Sequence, residues 1–170
     1  MELRRAEPSD ARAIAEVHVL AWQVAYAGLL PAEFLARLSV DEREARWHWN
    51  LGRGALARVT LLVDQGAVLG FSSVGATRER DVPEGYGELY ALYLHPDRWR
   101  GGLGARLHDA AMDEGRALGF RALTLWVLEG NARARAFYEA KGWAPEGKRA
   151  EFTAAPGVAA PELRYHRTLG

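Results

Sequence analysis

The stretch Glu88-Leu89-Tyr90-Ala91-Leu92-Tyr93-Leu94-His95-Pro96-Asp97-Arg98-Trp99-Arg100-Gly101-Gly102-Leu103-Gly104-Ala105-Arg106-Leu107 decides how this chain folds. Its apolar and aromatic opening, Leu89 to Leu94, is stopped by His95-Pro96-Asp97. A glycine turn follows, and apolar residues then recur at helical spacing through Leu103, Leu107, Ala110, Ala111 and Leu118. Strand, tight glycine turn and helix N-terminus make a phosphate-binding arrangement. Glycine lets the backbone come close to a ligand, and the unpaired N–H groups of the first turn point at an anion along the helix dipole. The ligand can be narrowed by what is missing. Gly104 is followed by Ala105-Arg106, so the Lys-Ser/Thr of a nucleoside-triphosphate loop is absent, and Leu107 stands where a dinucleotide turn has its third glycine.

Outward from this stretch, composition sets the class. The chain has 170 residues, 49% hydrophobic and 26% charged, which suits one globular domain over residues 1–170. Formal net charge is zero, so no global field draws it to nucleic acid or to an anionic membrane. With no cysteine, disulfides, thiolate nucleophiles and Cys-metal sites are excluded. The N-terminus Met1-Glu2-Leu3-Arg4-Arg5 lacks a signal core, and the expected location is cytoplasmic. His18, His48, His95, His108 and His166 show no metal-ligand spacing, so no metal is expected.

Taken in order, Met1 to Ala6 reads as a short strand. Ser9 or Asp10 caps a helix with an apolar face of Ile14, Val17, Ala21, Trp22 and Ala25, broken at Gly28. Pro31 suits the first turn of a short helix holding Phe34, Leu35 and Leu38. Ser39 or Asp41 caps a third helix, Glu42 to Leu51, stopped by Gly52 and Gly54. Val59 to Val63 and Ala67 to Val74 read as strands around the hairpin turn Asp64-Gln65-Gly66. Thr77 to Gly87 reads as a loop. After the helix that Gly119 ends, Ala122 to Leu128 alternates as a strand, and Asn131 opens a helix to Lys141, closed by Gly142. From Gly142-Trp143 glycine, proline and alanine turns are expected, then a final strand near Leu163 to Leu169. This order suits an α/β fold: one mixed sheet covered by helices on both faces.

Two motifs together resemble the GCN5-related N-acetyltransferases. Trp99-Arg100-Gly101-Gly102-Leu103-Gly104 is similar to that family's Gln/Arg-x-x-Gly-x-Gly/Ala loop, with Trp99 in the Gln/Arg place. Asn131-Ala132-Arg133-Ala134-Arg135-Ala136-Phe137-Tyr138-Glu139-Ala140-Lys141-Gly142-Trp143 is similar to its second signature, Asn-x-x-Ala-x-x-x-Tyr-x-x-x-Gly-Phe. On this helix Asn131 and Tyr138 are about two turns apart and project from the same face. The resemblance covers Ala6 to Leu169 and is strongest from Glu88 to Trp143. It implies a mostly antiparallel sheet, the acyl-CoA N-acyltransferase fold.

The same resemblance implies acetyl-CoA as cosubstrate and transfer of its acetyl group to a primary amine. Arg100, Gly101, Gly102, Leu103, Gly104 and Ala105 would hold its pyrophosphate, mainly through backbone N–H groups, and Asn131 would contact the CoA arm. The backbone of Leu92, Tyr93 and Leu94 would bond to the pantetheine amides much as an added strand does. Tyr138 would protonate the departing thiolate, and Glu88, sharing a strand face with Tyr90 and Leu92, would take the acceptor's proton through water. Trp126 occupies the place on the next strand where ribosomal-protein acetyltransferases carry a glutamate, which weakens that assignment. Trp22, Tyr26, Tyr90 and Glu88 are expected to wall the acceptor pocket, and Arg133 and Arg135 to approach the 3′-phosphate. Transfer would be direct, since no cysteine can carry an acyl intermediate. The acceptor would be a small-molecule or peptide amine, with a homodimer as an open assembly. The alternatives are a non-catalytic acyl-CoA-binding or sensor domain and a different nucleotide-binding enzyme.

Overall fold

The computed structural model describes residues 1–53 and 57–170; Gly54, expected to help stop the third helix, lies outside them. Seven strands form one sheet: β1 (Glu2–Arg5), β2 (Ala57–Asp64), β3 (Ala67–Ala76), β4 (Tyr86–Leu94), β5 (Ala122–Leu128), β6 (Ala144–Ala155) and β7 (Val158–Thr168). Their spatial order is β1-β2-β3-β4-β5-β7-β6. All neighbours are antiparallel apart from β4 and β5, which run parallel. The helices are α1 (Ala11–Ala25), α2 (Ala32–Ala36), α3 (Val40–Gly52), α4 (Leu103–Ala117) and α5 (Ala132–Ala140). The mixed, mostly antiparallel sheet with helices on both faces is the architecture expected from the sequence.

Local chemistry explains the boundaries. Gln65 and Gly66 both have positive φ (48° and 83°), the backbone that a two-residue hairpin needs to follow the sheet twist. Ser39 caps α3 by accepting a hydrogen bond from the Glu42 N–H at 3.2 Å. Ahead of α1, Asp10 accepts from the Glu7 N–H at 2.8 Å and from both terminal nitrogens of Arg4, at 2.7 and 2.8 Å. That pins β1 to the helix start.

On one face α1 sets Ile14 and Val17 against Val59, Leu61 and Phe71. On the other, α4 sets Leu107 against Leu62, Leu69 and Leu94, and Ala111 and Met112 against Leu123, Leu125 and Tyr165. Leu61, Phe71, Leu107, Leu123 and Tyr165 have no exposed surface. Burying each such aliphatic or phenylalanine side chain contributes roughly 1.5–3 kcal/mol.

The C-terminal third differs from the sequence expectation. The turns foreseen after Trp143 are the long strand β6, and β7 begins at Val158, ahead of Leu163. Pro145 and Gly147 suggested turns, but β6 is an edge strand that tolerates proline, and its register with β7 shifts between Pro145 and Arg149, around Gly147 with φ 77°.

A second difference matters more for the site. The register between β3 and β4 shifts between Ser73 and Val74, with Ala91 opposite the first and Leu89 opposite the second. Tyr90 is thus the extra residue of a β-bulge. Leu89 and Leu92 both pack on the α4 side, while Ala91 and Tyr93 pack on the α1 side. Leu92 therefore does not share a face with Glu88, because strict alternation breaks at the bulge.

Candidate active site where β4 and β5 part

β4 and β5 pair only over Tyr86↔Ala122, Gly87↔Leu123 and Glu88↔Thr124. Beyond them the strands diverge. Leu92, Tyr93 and Leu94 keep their register with Ser72, Phe71 and Gly70 of β3 but have no partner strand on the β5 side. An extended group could hydrogen-bond that edge.

The glycine turn lies at the far end of β4. Arg100 takes the left-handed conformation at φ 65°, and Gly102, the N-cap of α4, does so at φ 76°. A Cβ at Gly102 would meet nothing within 4 Å, and one at Gly101 only the Arg98 carbonyl at 3.9 Å. Conformation accounts for Gly102, whereas packing accounts for neither. The Arg106 N–H bonds the Gly102 carbonyl at 3.2 Å, and the N–H groups of Leu103, Gly104 and Ala105 precede the first bond within α4. This cradle, open on the protein side and edged with donors, fits an anion such as a pyrophosphate.

Two arginines flank it. The Arg133 guanidinium stacks on Trp99, 3.1 Å from the ring centroid, and Arg100 lies close enough to lower its pKa further below the value that burial sets. Arg135 is turned away, bonding the Tyr165 hydroxyl at 3.1 Å and the Glu129 carbonyl at 3.1 Å. Of the two arginines foreseen near a phosphate, only Arg133 stands beside the turn. Asn131 caps α5, its Oδ1 accepting from the Ala134 N–H at 3.2 Å, which leaves its amide N–H groups for another partner.

Three tyrosines converge at the parting. Tyr26, the C-cap of α1, and Tyr93 of β4 share a hydroxyl–hydroxyl hydrogen bond at 3.3 Å. Tyr138 comes from α5 on the opposite side and packs against Trp143, with ring centroids 5.9 Å apart. Burial pushes its phenol well above the usual range, and nearby Tyr93 pushes it further. Its proton therefore stays on oxygen at any working pH. Among the described residues no group hydrogen-bonds the Tyr138 hydroxyl. Trp22 lies beneath this cluster, 7% exposed, edge-to-face with Tyr26 at 5.1 Å and covered by the Arg43 guanidinium at 4.5 Å.

Glu88 sits at the vertex of the parting, 1% exposed. Its carboxylate accepts from Arg78 three times: from Nη2 at 2.5 Å, from Nε at 3.2 Å and from the backbone N–H at 3.1 Å. The same guanidinium lies 4.8 Å above the Tyr90 ring. Glu88, Tyr90 and Arg78 are thus one packed unit.

A further carboxylate, outside the residues expected from the sequence, lies near Glu88, Arg78 and Tyr26. Glu162 lies on β7 opposite Leu128. Ala160 and Arg164, which share its face, pack respectively in the cluster holding Tyr26 and against Glu79 and Asp81 of the β3–β4 loop. Glu162 is half-buried and makes no ion pair among the described residues. Its pKa is pushed up to about 7, first by burial; Glu79 and Glu88 add to this and Arg78 opposes it. The expected final strand began one residue too late to include it. A strand starting at Val158 would have put a carboxylate on the face of Arg164, the only signal available.

His18 and His108 are buried and act as hydrogen-bond acceptors, from the Trp47 indole N–H at 3.1 Å and the Trp143 indole N–H at 3.0 Å. Among the described residues no group of histidine and carboxylates is placed to hold a metal, and no helix is long and apolar enough to cross a membrane.

An anion cradle at a helix N-terminus stands beside a half-open sheet lined with tyrosines, and the fold that carries them is that of N-acetyltransferases of known structure. The model of the acetyltransferase (GNAT) family matches residues 20–143, and the chain belongs to that family. It is 34% identical over 145 residues to the uncharacterized N-acetyltransferase YuaI of Bacillus subtilis (strain 168), covering 85% of this chain and 79% of the relative. A probable N-acetyltransferase of Mycobacterium tuberculosis is 25% identical over 167 residues, 97% of this chain and 92% of that protein. Among solved structures, the PaiA N-acetyltransferase of Thermoplasma acidophilum in complex with coenzyme A superposes with a TM-score of 0.78 at 18% identity, covering 98% of each chain. YncA of Salmonella typhimurium, solved with acetyl-CoA, gives 0.73 at 22% identity, over 100% of this chain and 94% of that one.

Proposed function

We propose that this member of the acetyltransferase family transfers the acetyl group of acetyl-CoA directly to a primary amine of a small-molecule or peptide acceptor. The observation that carries the reading is the parting of β4 from β5 beside the glycine turn, with the Tyr138 hydroxyl unpartnered among the described residues. Acetyl-CoA supplies an activated thioester carbonyl with a thiolate leaving group. The N–H groups from Arg100 to Ala105 would hold its pyrophosphate, with Arg133 alongside. The open edge at Leu92, Tyr93 and Leu94 would take the pantetheine amides, and the Asn131 amide the arm between.

An acid and a base complete the reading. Tyr138 keeps its proton until charge develops on the departing sulfur. A carboxylate at the cleft receives the proton that nitrogen loses, with Glu88, acting through water, the candidate that the strand position singles out. Tyr26, Trp22 and Tyr90 wall the acceptor side. Cosubstrate calorimetry together with mass spectrometry of amine products tests the proposal. Acetyl-CoA binding with acetylated amine is expected; binding without any acetylated amine would favour a sensor domain.

A further inference from the structure

We infer that Glu162, on β7, binds the ammonium group of the acceptor and takes its first proton, a role that neither signature motif assigns to it. The inference rests on the acetyl-transfer reading and names the base within it. Glu88, Glu79 and Glu162 are carboxylates near the parting of β4 and β5. Glu88 spends its oxygens on Arg78. Glu79 accepts from the Trp126 indole at 3.2 Å, from Lys148 at 3.1 Å and from Arg164 at 3.2 Å. Glu162 alone among them has no cationic partner within the described residues.

Position agrees with this division of labour. Glu88 stands at the closed vertex, level with Thr124. Glu162 lies on β7 level with Leu128, past the point where β4 and β5 have separated. It sits between the apolar patch of Tyr26, Leu29 and Leu128 and the ion cluster of Arg164, Glu79 and Asp81. Tyr26 lies near enough to sense both Glu162 and Tyr138. The charged and titratable groups facing Glu162 are therefore Tyr26 from α1, Arg78 and Glu79 from the β3–β4 loop, Glu88 from β4 and Arg164 on its own strand. From β6 its cross-strand neighbour is the uncharged Ala150.

The proton balance closes. An alkylammonium must lose two protons to become an amide N–H. The first passes to a Glu162 oxygen and then to solvent, freeing the lone pair that forms the C–N bond. The C–S bond breaks with its electron pair on sulfur, which takes the Tyr138 proton, and the second nitrogen proton restores the phenol. A carboxyl group titrating near neutrality matches the first step at working pH, being ionised to receive the proton yet basic enough to hold it.

The test compares wild type, Glu162→Gln and Glu162→Asp against a panel of n-butylamine, benzylamine, tyramine and a lysine-containing peptide. For any acetylated amine, wild-type kcat/KM should fall as pH drops below about 7. Glu162→Gln should lower kcat/KM at pH 7 by roughly 10²-fold or more, lose that limb, and recover as pH approaches the amine pKa. Glu162→Asp should keep the limb at reduced rate. Acetyl-CoA affinity should stay unchanged in both.

A readout without turnover is the melting temperature. A raised carboxyl pKa gives stability that is present below the unfolded value and lost as pH rises through about 7. Glu162→Gln should therefore gain on wild type as pH rises from about 4.5 to 8. Full kcat/KM with an intact limb in Glu162→Gln, or a melting difference independent of pH, overturns the inference and leaves acetyl transfer standing. Acetylation of no amine by the wild type removes the underlying reading and this inference with it.

Discussion

At the residue scale, the proposed chemistry depends on side chains whose surroundings set their protonation. Tyr138→Phe removes one hydroxyl and keeps the ring that packs on Trp143. Turnover should fall roughly 10²–10⁴-fold with little change in acetyl-CoA affinity, as for loss of a positioned general acid. Steady-state kinetics beside calorimetry checks this split; equal losses in both would make Tyr138 a packing residue. His18 gives a stability prediction. Burial, with Arg43 adding to it, lowers its pKa to about 3 from an unfolded value of 6.5. Its neutral form belongs to the fold, so stability is present above about 6.5 and is lost as pH falls toward 3. The full loss is on the order of 5 kcal/mol. Between about 4.5 and 6.5 Glu162 works in the opposite direction, so the decline should steepen below that window. Melts from pH 8 to 4 check it, and His18→Gln, which keeps an acceptor for the Trp47 indole, should flatten the curve. The positions of Tyr138 on α5 and of the glycine turn before α4 were legible in the sequence because motif spacing survives folding. Glu162 was not, because its place depends on where β7 begins.

At the element scale, the proposed site rests on the turn before α4 and the vertex of β4 and β5. A Cβ at Gly104 would touch only the Phe137 ring, at 3.7 and 3.9 Å, an ordinary contact. Gly104→Val should thus fold normally and bind acetyl-CoA at least about tenfold more weakly, a loss of about 1.4 kcal/mol. Unchanged binding by calorimetry would remove the pyrophosphate assignment. Gly87 is different: a Cβ there would run into the Phe120 ring where β4 and β5 still pair. Gly87→Ala should cost about 1–3 kcal/mol, the usual range for overpacking, in urea titration. The strands around this turn were readable from apolar runs and turn residues. β6 was hidden because edge strands admit proline and bulges, and the bulge at Tyr90 was hidden because a register shift leaves no mark in composition.

At the scale of the whole molecule, an ion cluster ties the far edge of the sheet to the loop over the cleft. Arg164, 6% exposed, holds Glu79 at 3.2 Å, Asp81 at 2.8 Å and Glu146. Lys148 joins it through Asp81 at 2.7 Å and Glu79 at 3.1 Å. Arg164→Met should destabilise the chain by less than the roughly 3–5 kcal/mol of a fully buried pair, because its carboxylates reach solvent. Hydrogen exchange should rise mainly in residues 77–85; uniform exchange would deny the cluster its tie to that loop. Contacts across such sequence distances were invisible in the chain itself, whereas the layer order of helices and strands was plain from periodicity. The central claim is amine-dependent acetyl transfer, and thiol release tests it directly. The chain has no cysteine, so any thiol that appears comes from the cosubstrate. Acetyl-CoA with a panel of primary amines should yield thiol and acetylated amine in equal amounts, far above the uncatalysed rate. Saturable acetyl-CoA binding with thiol release no faster than without protein, for every amine tried, would contradict it.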